Sequence, residues 1–552
     1  MPLVPAAHVN SLMANSQSDH SLTSKTLSAR LRSASSIVVL HAKKHVGTGV
    51  LCSVAYFDPG NWSVDLQAGS RFGFRLLFVV LIAGLFAAFL QVLATKLGCV
   101  TGLDLASHCR VLLYDRPKHP LLYRRLVLYP LYFLSEVAII STDLAELLGS
   151  AIALCLLFPK LDLWQAVLIT AFDVIFLLAL RDPLRSTPVK MFEMLIAGLV
   201  GLATLICMVI VIAKVDVSWG KAFDGFLPSK FIFSSSGLYT AVGILGATVM
   251  PHSLFLGSAL ATQDRLSVET PPPVIKPESI QAANARDTTL KTLRNSLRLT
   301  WIKEFLASLF RTPPPSRTST SVKQHADREN NSFIFIRAHL NHQIVDVVGS
   351  LLGFAVLINS LILILASTVF FYGRHKMSTS ASLFDAYKLI HDIVGVSAAT
   401  VFAIALLAAG QSSSVIATIA GQAVSEGFLN WRVSPITRRL LTRLIAVIPS
   451  MAVAIAVGRP GIDTLLVASQ VILAVVLPFI TLPLIYLTSS KTVMRVRKPD
   501  ALVSTVTETD NTWDDTIDYS NGTATTIVAC GIWLVMLTAN LYVIVTLIMG
   551  AL

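Results

Sequence analysis

The chain has 552 residues, 54% of them hydrophobic and only 14% charged, with a mean hydropathy of +0.68 and a formal net charge of +12. Too few charges are present to cover a water-facing surface, which excludes an ordinary soluble globular protein. The excess Lys and Arg lie between apolar runs, so membrane topology explains them better than nucleic-acid binding does.

Residues 1–36 make a Ser/Thr-rich arm with the basic residues Lys25, Arg30 and Arg32. The arm reads as disordered and cytosolic, although a mitochondrial presequence has a similar composition. Apolar runs then recur at about 37–65, 75–97, 126–156, 162–180, 191–214, 237–262, 344–372, 388–411, 440–457, 461–488 and 525–550. A crossing needs ~20 apolar residues. These runs are continuous rather than alternating, which predicts an all-α polytopic protein of about eleven transmembrane helices and not a barrel. The chain divides accordingly into six spans over 37–262, a polar loop over 263–343, four spans over 344–488, a second loop over 489–524 and a last span in 525–552. The long loop holds Pro271 to Pro273 and Pro313 to Pro315 among Ser, Thr and Arg, which predicts disorder with an amphipathic stretch around 289–310.

Lys and Arg concentrate in alternate loops, at Lys96 to Arg125, Arg181 to Lys190, Arg432 to Arg443 and Lys491 to Lys498. This bias sets the N-terminus in the cytosol and, with eleven spans, the C-terminus outside. Both long loops are then cytosolic, so the glycosylation sequons at Asn330 and Asn521 are expected to stay unmodified. The six cysteines are scattered without metal-site or CxxC spacing and are expected as free thiols.

Two spans are interrupted. The first contains Ala55-Tyr56-Phe57-Asp58-Pro59-Gly60-Asn61, and the sixth Gly246-Ala247-Thr248-Val249-Met250-Pro251-His252. A charged Asp beside Pro and Gly is costly in a lipid-facing helix, and Pro removes a backbone donor, so both helices should unwind there. Five crossings separate the breaks, so two five-helix halves have opposite orientation. That is the pattern of inverted-repeat transporters, which bind substrate between discontinuous helices near the midplane. At the breaks Asp58 offers a negative oxygen, Asn61 a neutral one, and Ala55 and Ala247 are the candidates for freed carbonyls. Oxygens alone suit Mg²⁺ or Ca²⁺; the Met250 thioether adds a soft ligand matched to later transition metals.

The segments from Ala55 to Trp62 (AYFDPGNW) and from Gly246 to Leu260 (GATVMPHSLFLGSAL) closely resemble the NRAMP family of divalent metal transporters. So do Ser141 to Gly149 in the third span and Ala408 to Gln422 after the eighth, and the resemblance covers about residues 45–490. It implies a LeuT-like 5+5 inverted repeat with discontinuous helices 1 and 6, and symport of Mn²⁺ or Fe²⁺ with H⁺. It implies that Asp58, Asn61 and Met250, with the carbonyls of Ala55 and Ala247, hold the metal, and that Gln470 joins them in some states. Relatives that carry Mg²⁺ or Al³⁺ lack the Met, so Met250 argues for transition metals.

Intramembrane acids are functional candidates by default. Glu136, Asp143 and Glu146 lie on the third span, the last two three residues apart and so on one helix face. A structural ion pair is the alternative for them, with Arg438 and Arg439 as partners. The resemblance favours a proton route through these acids and arginines; His252 of the broken sixth helix reads equally as a further proton group or as a packed polar histidine. Many family members carry a second His five residues after it, where this chain has Gly257. A two-histidine mechanism is therefore not available. The Gly410 to Gln422 stretch lacks the ending of a phosphate loop and is read as a helix–loop turn that closes the inner side.

The expected cargo is a divalent metal with protons, in a lipid bilayer, with no resident cofactor and no nucleic acid, and with a monomer sufficing. The membrane is the plasma membrane or an endosomal or vacuolar one. An ion-coupled amino-acid or other organic-solute transporter on the same architecture is the principal alternative, and it should lack a carboxylate and thioether at the breaks. A membrane enzyme is disfavoured, because no nucleophile elbow, HExxH or paired catalytic carboxylate appears.

Overall fold

The computed structural model describes residues 48–56, 58–171, 198, 215–264, 325, 328–373, 381–431, 434–498 and 516–549. The arm over 1–36, the start of the first span, the amphipathic stretch around 289–310, the second half of the fourth span and, apart from residue 198, the fifth span over 191–214 lie outside these residues. Contacts divide the chain after Val46, and Gly47–Leu552 forms one compact unit.

The first span is two helices, α1 (Thr48–Ala55) and α2 (Pro59–Phe72). Asp58 caps α2 by accepting from the Asn61 N–H, and Pro59 takes the first helical position, where a missing N–H has no cost. α2 ends at Gly73, whose φ of 62° suits glycine, and α3 follows over Leu77–Thr101, ending at Gly102 in the left-handed region. A short α4 (Leu105–Leu113) is capped by Asp104. Then come α5 (Tyr129–Leu157) and α6 (Leu163–Ala171).

The sixth span is likewise split, into α7 (Ser235–Thr248) and α8 (Pro251–Ala261), with Met250 extended at the junction (φ −83°, ψ 122°). After the long loop come α9 (Phe333–Ser350) and α10 (Leu357–Ala366), joined by a π turn over Leu351–Val356. Next are α11 (Leu383–Ile393), α12 (Val396–Leu429), α13 (Pro435–Ala456), α14 (Arg459–Ser489) and α15 (Thr523–Ile548).

Among the described residues, seven segments are long and apolar enough to cross a membrane, and Leu440–Ala456 is a shorter apolar helix. The first of the seven, Pro59–Thr101, holds both α2 and α3. α5 packs along α12, α13 and α14.

The architecture departs from the sequence reading in four places. The seventh span begins at Phe333, so the last part of the segment read as a disordered loop to 343 is helix, started by a Ser332 cap. The eighth span is shifted: α11 is a separate helix with a Ser382–Asp385 capping box, and α12 starts at Val396. The Gly410 to Gln422 stretch is not a turn but the middle of α12, because its small polar side chains bond within the bundle instead of to water. Thus Ser412 donates to the Ala409 carbonyl and Thr418 to that of Ser414. Finally, the 489–524 loop contains a two-stranded antiparallel ribbon, β1 (Arg495–Arg497) with β2 (Thr516–Asp518).

Candidate metal site

The two breaks face each other. The Tyr56 hydroxyl at the end of α1 lies 3.0 Å from the Ser253 hydroxyl in the first turn of α8, and Ser253 also donates to the Met250 carbonyl at 2.9 Å. α14 bridges both. The Gln470 side chain donates to Asp58 Oδ2 at 3.0 Å, and a Cβ on Gly246 of α7 would collide with the Gln470 carbonyl. The glycines at 60 and 246 permit these approaches; a Cβ at Gly60 would fall on Gln470 Nε2.

The same device frees a carbonyl at each break. The helical donor for the Ala55 carbonyl would be the N–H of residue 59, and for Ala247 that of residue 251. Both are proline, so neither carbonyl can be closed by its own helix. Asp58, Asn61, Met250, Gln470 and Ala55 are fully buried, and Ala247 nearly so. Asn61 is held by its amide nitrogen, which donates to the Tyr56 carbonyl at 2.7 Å, leaving its Oδ1 with no hydrogen-bond donor among the described residues; Gln470 Oε1 and Thr248 Oγ1 are in the same position. Buried acceptors without donors are rare in native proteins. Here they belong to the same two breaks and the bridging helix α14 as a buried carboxylate, a buried thioether and two carbonyls that lack their helical donor. Such a set suits a dehydrated divalent cation with some soft character.

His252, beside Met250, places its Nδ1 3.2 Å from Thr142 Oγ1 on α5. From there α5 carries three buried or half-buried acids to α12 and α13. Asp143 Oδ1 is 3.3 Å from Arg443 Nη1 and 3.3 Å from the Ser414 hydroxyl, and Arg443 also bonds the Asp143 carbonyl and Ser414. Glu146 accepts from Ser413 at 2.6 Å. Arg438 contacts both Glu136 oxygens at 2.7 Å.

The partners therefore differ from those read in the sequence. Arg438 serves Glu136, and the partner of Asp143 is Arg443, which the sequence groups with the loop charges. The side chain of Arg439 lies outside what the structure describes. Arg443 is 1% exposed, in a run that is apolar on both sides, and that setting was the available signal.

At Gly257 a Cβ would fall on the amide nitrogen of Gln91 from α3. The space of the absent second histidine is thus filled by Gln91, whose Oε1 accepts from Ser253 at 3.4 Å. The five described cysteines form no disulfide, and Cys207 lies outside the described residues. Of the two sequons, Asn330 donates its amide to the Val493 and Arg495 carbonyls, and Asn521 to Thr488.

Residues 49–296 and 316–507 match the family model of natural resistance-associated macrophage protein-like (Nramp) proteins. The chain is 42% identical over 509 residues to the manganese transporter pdt1 of Schizosaccharomyces pombe, covering 92% of this chain and 86% of that one. It is 34% identical over 522 residues to the iron transporter SMF3 of Saccharomyces cerevisiae, covering 92% and 97%. Among solved structures it is similar to the Eremococcus coleocola manganese transporter bound to an aromatic bis-isothiourea compound. That match has 28% identity and a TM-score of 0.63 over 90% of this chain and 85% of that one. The L-phenylalanine complex of MhsT, at 13% identity and a TM-score of 0.54 over 90% and 98%, shares the fold alone.

Proposed function

Because the chain belongs to the Nramp family, we propose that it is a proton-coupled symporter that carries divalent transition metals, Mn²⁺ or Fe²⁺, into the cytosol by alternating access. What carries this reading is the pair of broken helices, linked through Tyr56–Ser253 and Gln470–Asp58, with buried Asp58, Asn61 and Met250 at the breaks and prolines four residues after Ala55 and Ala247. The relatives are named as manganese and iron transporters, which supports metal as the cargo. Sulfur beside hard oxygens favours Mn²⁺ and Fe²⁺ over Ca²⁺ and Mg²⁺. A single carboxylate keeps affinity modest, as release requires.

Within this reading α1 with α2, and α7 with α8, are the moving halves, and each exposes the site to one side in turn. Protons pass from His252 and Thr142 towards Asp143, Glu146 and Glu136, where Arg443 and Arg438 balance the acids. The protein works as a monomer in the plasma membrane or an endosomal or vacuolar membrane, with the N-terminus in the cytosol. The test is Mn²⁺ uptake into proteoliposomes of the purified chain, with and without an inward proton gradient. Uptake that accelerates with the gradient and acidifies the lumen is expected; indifference to the gradient would overturn symport.

A further inference from the structure

α1 carries one of the two freed carbonyls, and its far end is held by a residue outside the site. The Gly49 N–H of α1 donates to Asp346 Oδ2 of α9 at 2.6 Å, in a buried bond between residues 297 positions apart. A carboxylate that accepts from a buried backbone N–H makes a charge-assisted hydrogen bond, stronger than one between neutral groups. Contact is intimate: a Cβ on Gly49 would collide with the backbone carbonyl of Asp346. One turn earlier on the same face of α9 stands Gln343, 2% exposed, with neither amide atom bonded among the described residues. Its amide oxygen is therefore available to an N–H released nearby.

We propose that Asp346 is a positioning residue for metal transport. Its carboxylate clamps α1 at Gly49, and with it the Ala55 carbonyl six residues on, in the site-closing position. Loss of this bond loosens α1 locally, and the Gln343 amide oxygen then accepts the freed Gly49 N–H. This rests on the transport reading above for its purpose, but the clamp itself can be read without metal.

The chain supplies its own reporter. Cys52, one turn after Gly49 in α1, is 0% exposed, as is Cys99 of α3, while Cys109 of α4 is 1% exposed. In the purified full-length protein, maleimide labelling of each cysteine is followed by peptide mass spectrometry for wild type, Asp346→Ala, Asp346→Glu and Gly49→Ala. Local opening of α1 predicts that Asp346→Ala and Gly49→Ala speed labelling of Cys52 at least about fivefold and leave Cys99 and Cys109 unchanged. Asp346→Glu should stay near wild type. Unchanged Cys52 labelling overturns the clamp. So does a rise shared equally by Cys99 and Cys109, since Asp346 would then be holding the whole fold. If the wild type moves no Mn²⁺ but labelling follows the expected pattern, the transport reading falls and the clamp stands.

Discussion

Gln470 Nε2 and Asp58 Oδ2 are 3.0 Å apart, and the bond between them runs across the surface of Gly60, where no Cβ fits. An amide from α14 thereby occupies one of the oxygens a metal would use, and its own Oε1 is left without a donor. In the proposed transport reading, the same amide would turn that oxygen to a bound cation, giving up its bond to Asp58.

Gly60→Ala tests this coupling. The new methyl group must push the Gln470 side chain away from Asp58. The far end of Gln470 can move, so the protein should fold. Its apparent Mn²⁺ affinity is expected to fall by about tenfold, or ~1.4 kcal/mol, in a concentration series of proteoliposome uptake. Wild-type affinity would show that Gln470 has no part in binding.

Met250→Ala removes the only sulfur assigned to the site. Mn²⁺ uptake should persist on the oxygen ligands, while Ca²⁺ or Mg²⁺, which the wild type is expected to exclude, becomes a substrate. Parallel uptake assays over the three ions decide the point. A mutant as selective as wild type would show that the sulfur is not the filter.

Arg443→Met leaves Asp143 buried without its cation. Breaking a buried pair by removing one partner costs ~3–5 kcal/mol, so a large drop in thermal stability is expected in fluorescence-detected size-exclusion chromatography. Adding Asp143→Asn should recover most of that stability, since the uncompensated charge is gone, without recovering dependence of uptake on the proton gradient. Stability recovered together with coupling would assign both residues to structure alone.

Outside the membrane spans, the His108 and His325 rings stack with Nδ1 2.9 Å from Nε2, and Thr101 Oγ1 lies 2.8 Å from the other His108 nitrogen. Burial, helped by Arg328, pushes His325 down to about 4. The lowered value means the folded form prefers neutral rings. The contact is at full strength above the free-chain value of ~6.5 and weakens as pH falls from there towards 4. Hydrogen exchange of the Asn331 amide, which donates to the Val100 carbonyl, should quicken between pH 7 and pH 4.5 beyond the intrinsic pH effect. His325→Gln should flatten that response. A response unchanged in the variant would place the sensitive group elsewhere.

The breaks were legible in the sequence because Asp58, Pro59 and Gly60 violate what lipid permits, and that violation needs no knowledge of packing. Arg443 was not legible by the same route. Counting basic residues by loop ignores depth, and Arg443 lies only a few residues inside an apolar run. The Gly410 to Gln422 stretch misled for the opposite reason, since Gly, Ser and Gln look like a turn to any rule learned in water. In the bundle they give α12 close contact with α5: a Cβ on Gly410 would fall on the Ser150 hydroxyl, and Ser413 reaches Glu146. The bond from Gly49 to Asp346 has no local signature, because each residue is unremarkable until the two helices meet.

The prolines at 59 and 251 change where the hereditary information of the site resides. Ala55 and Ala247 contribute only backbone, so a substitution at either alters bulk without deleting a donor. Exchanging Pro59 or Pro251 restores an N–H that can quench the carbonyl four residues earlier. In the proposed site the two carbonyls therefore depend on the identity of residues 59 and 251 more than on that of residues 55 and 247.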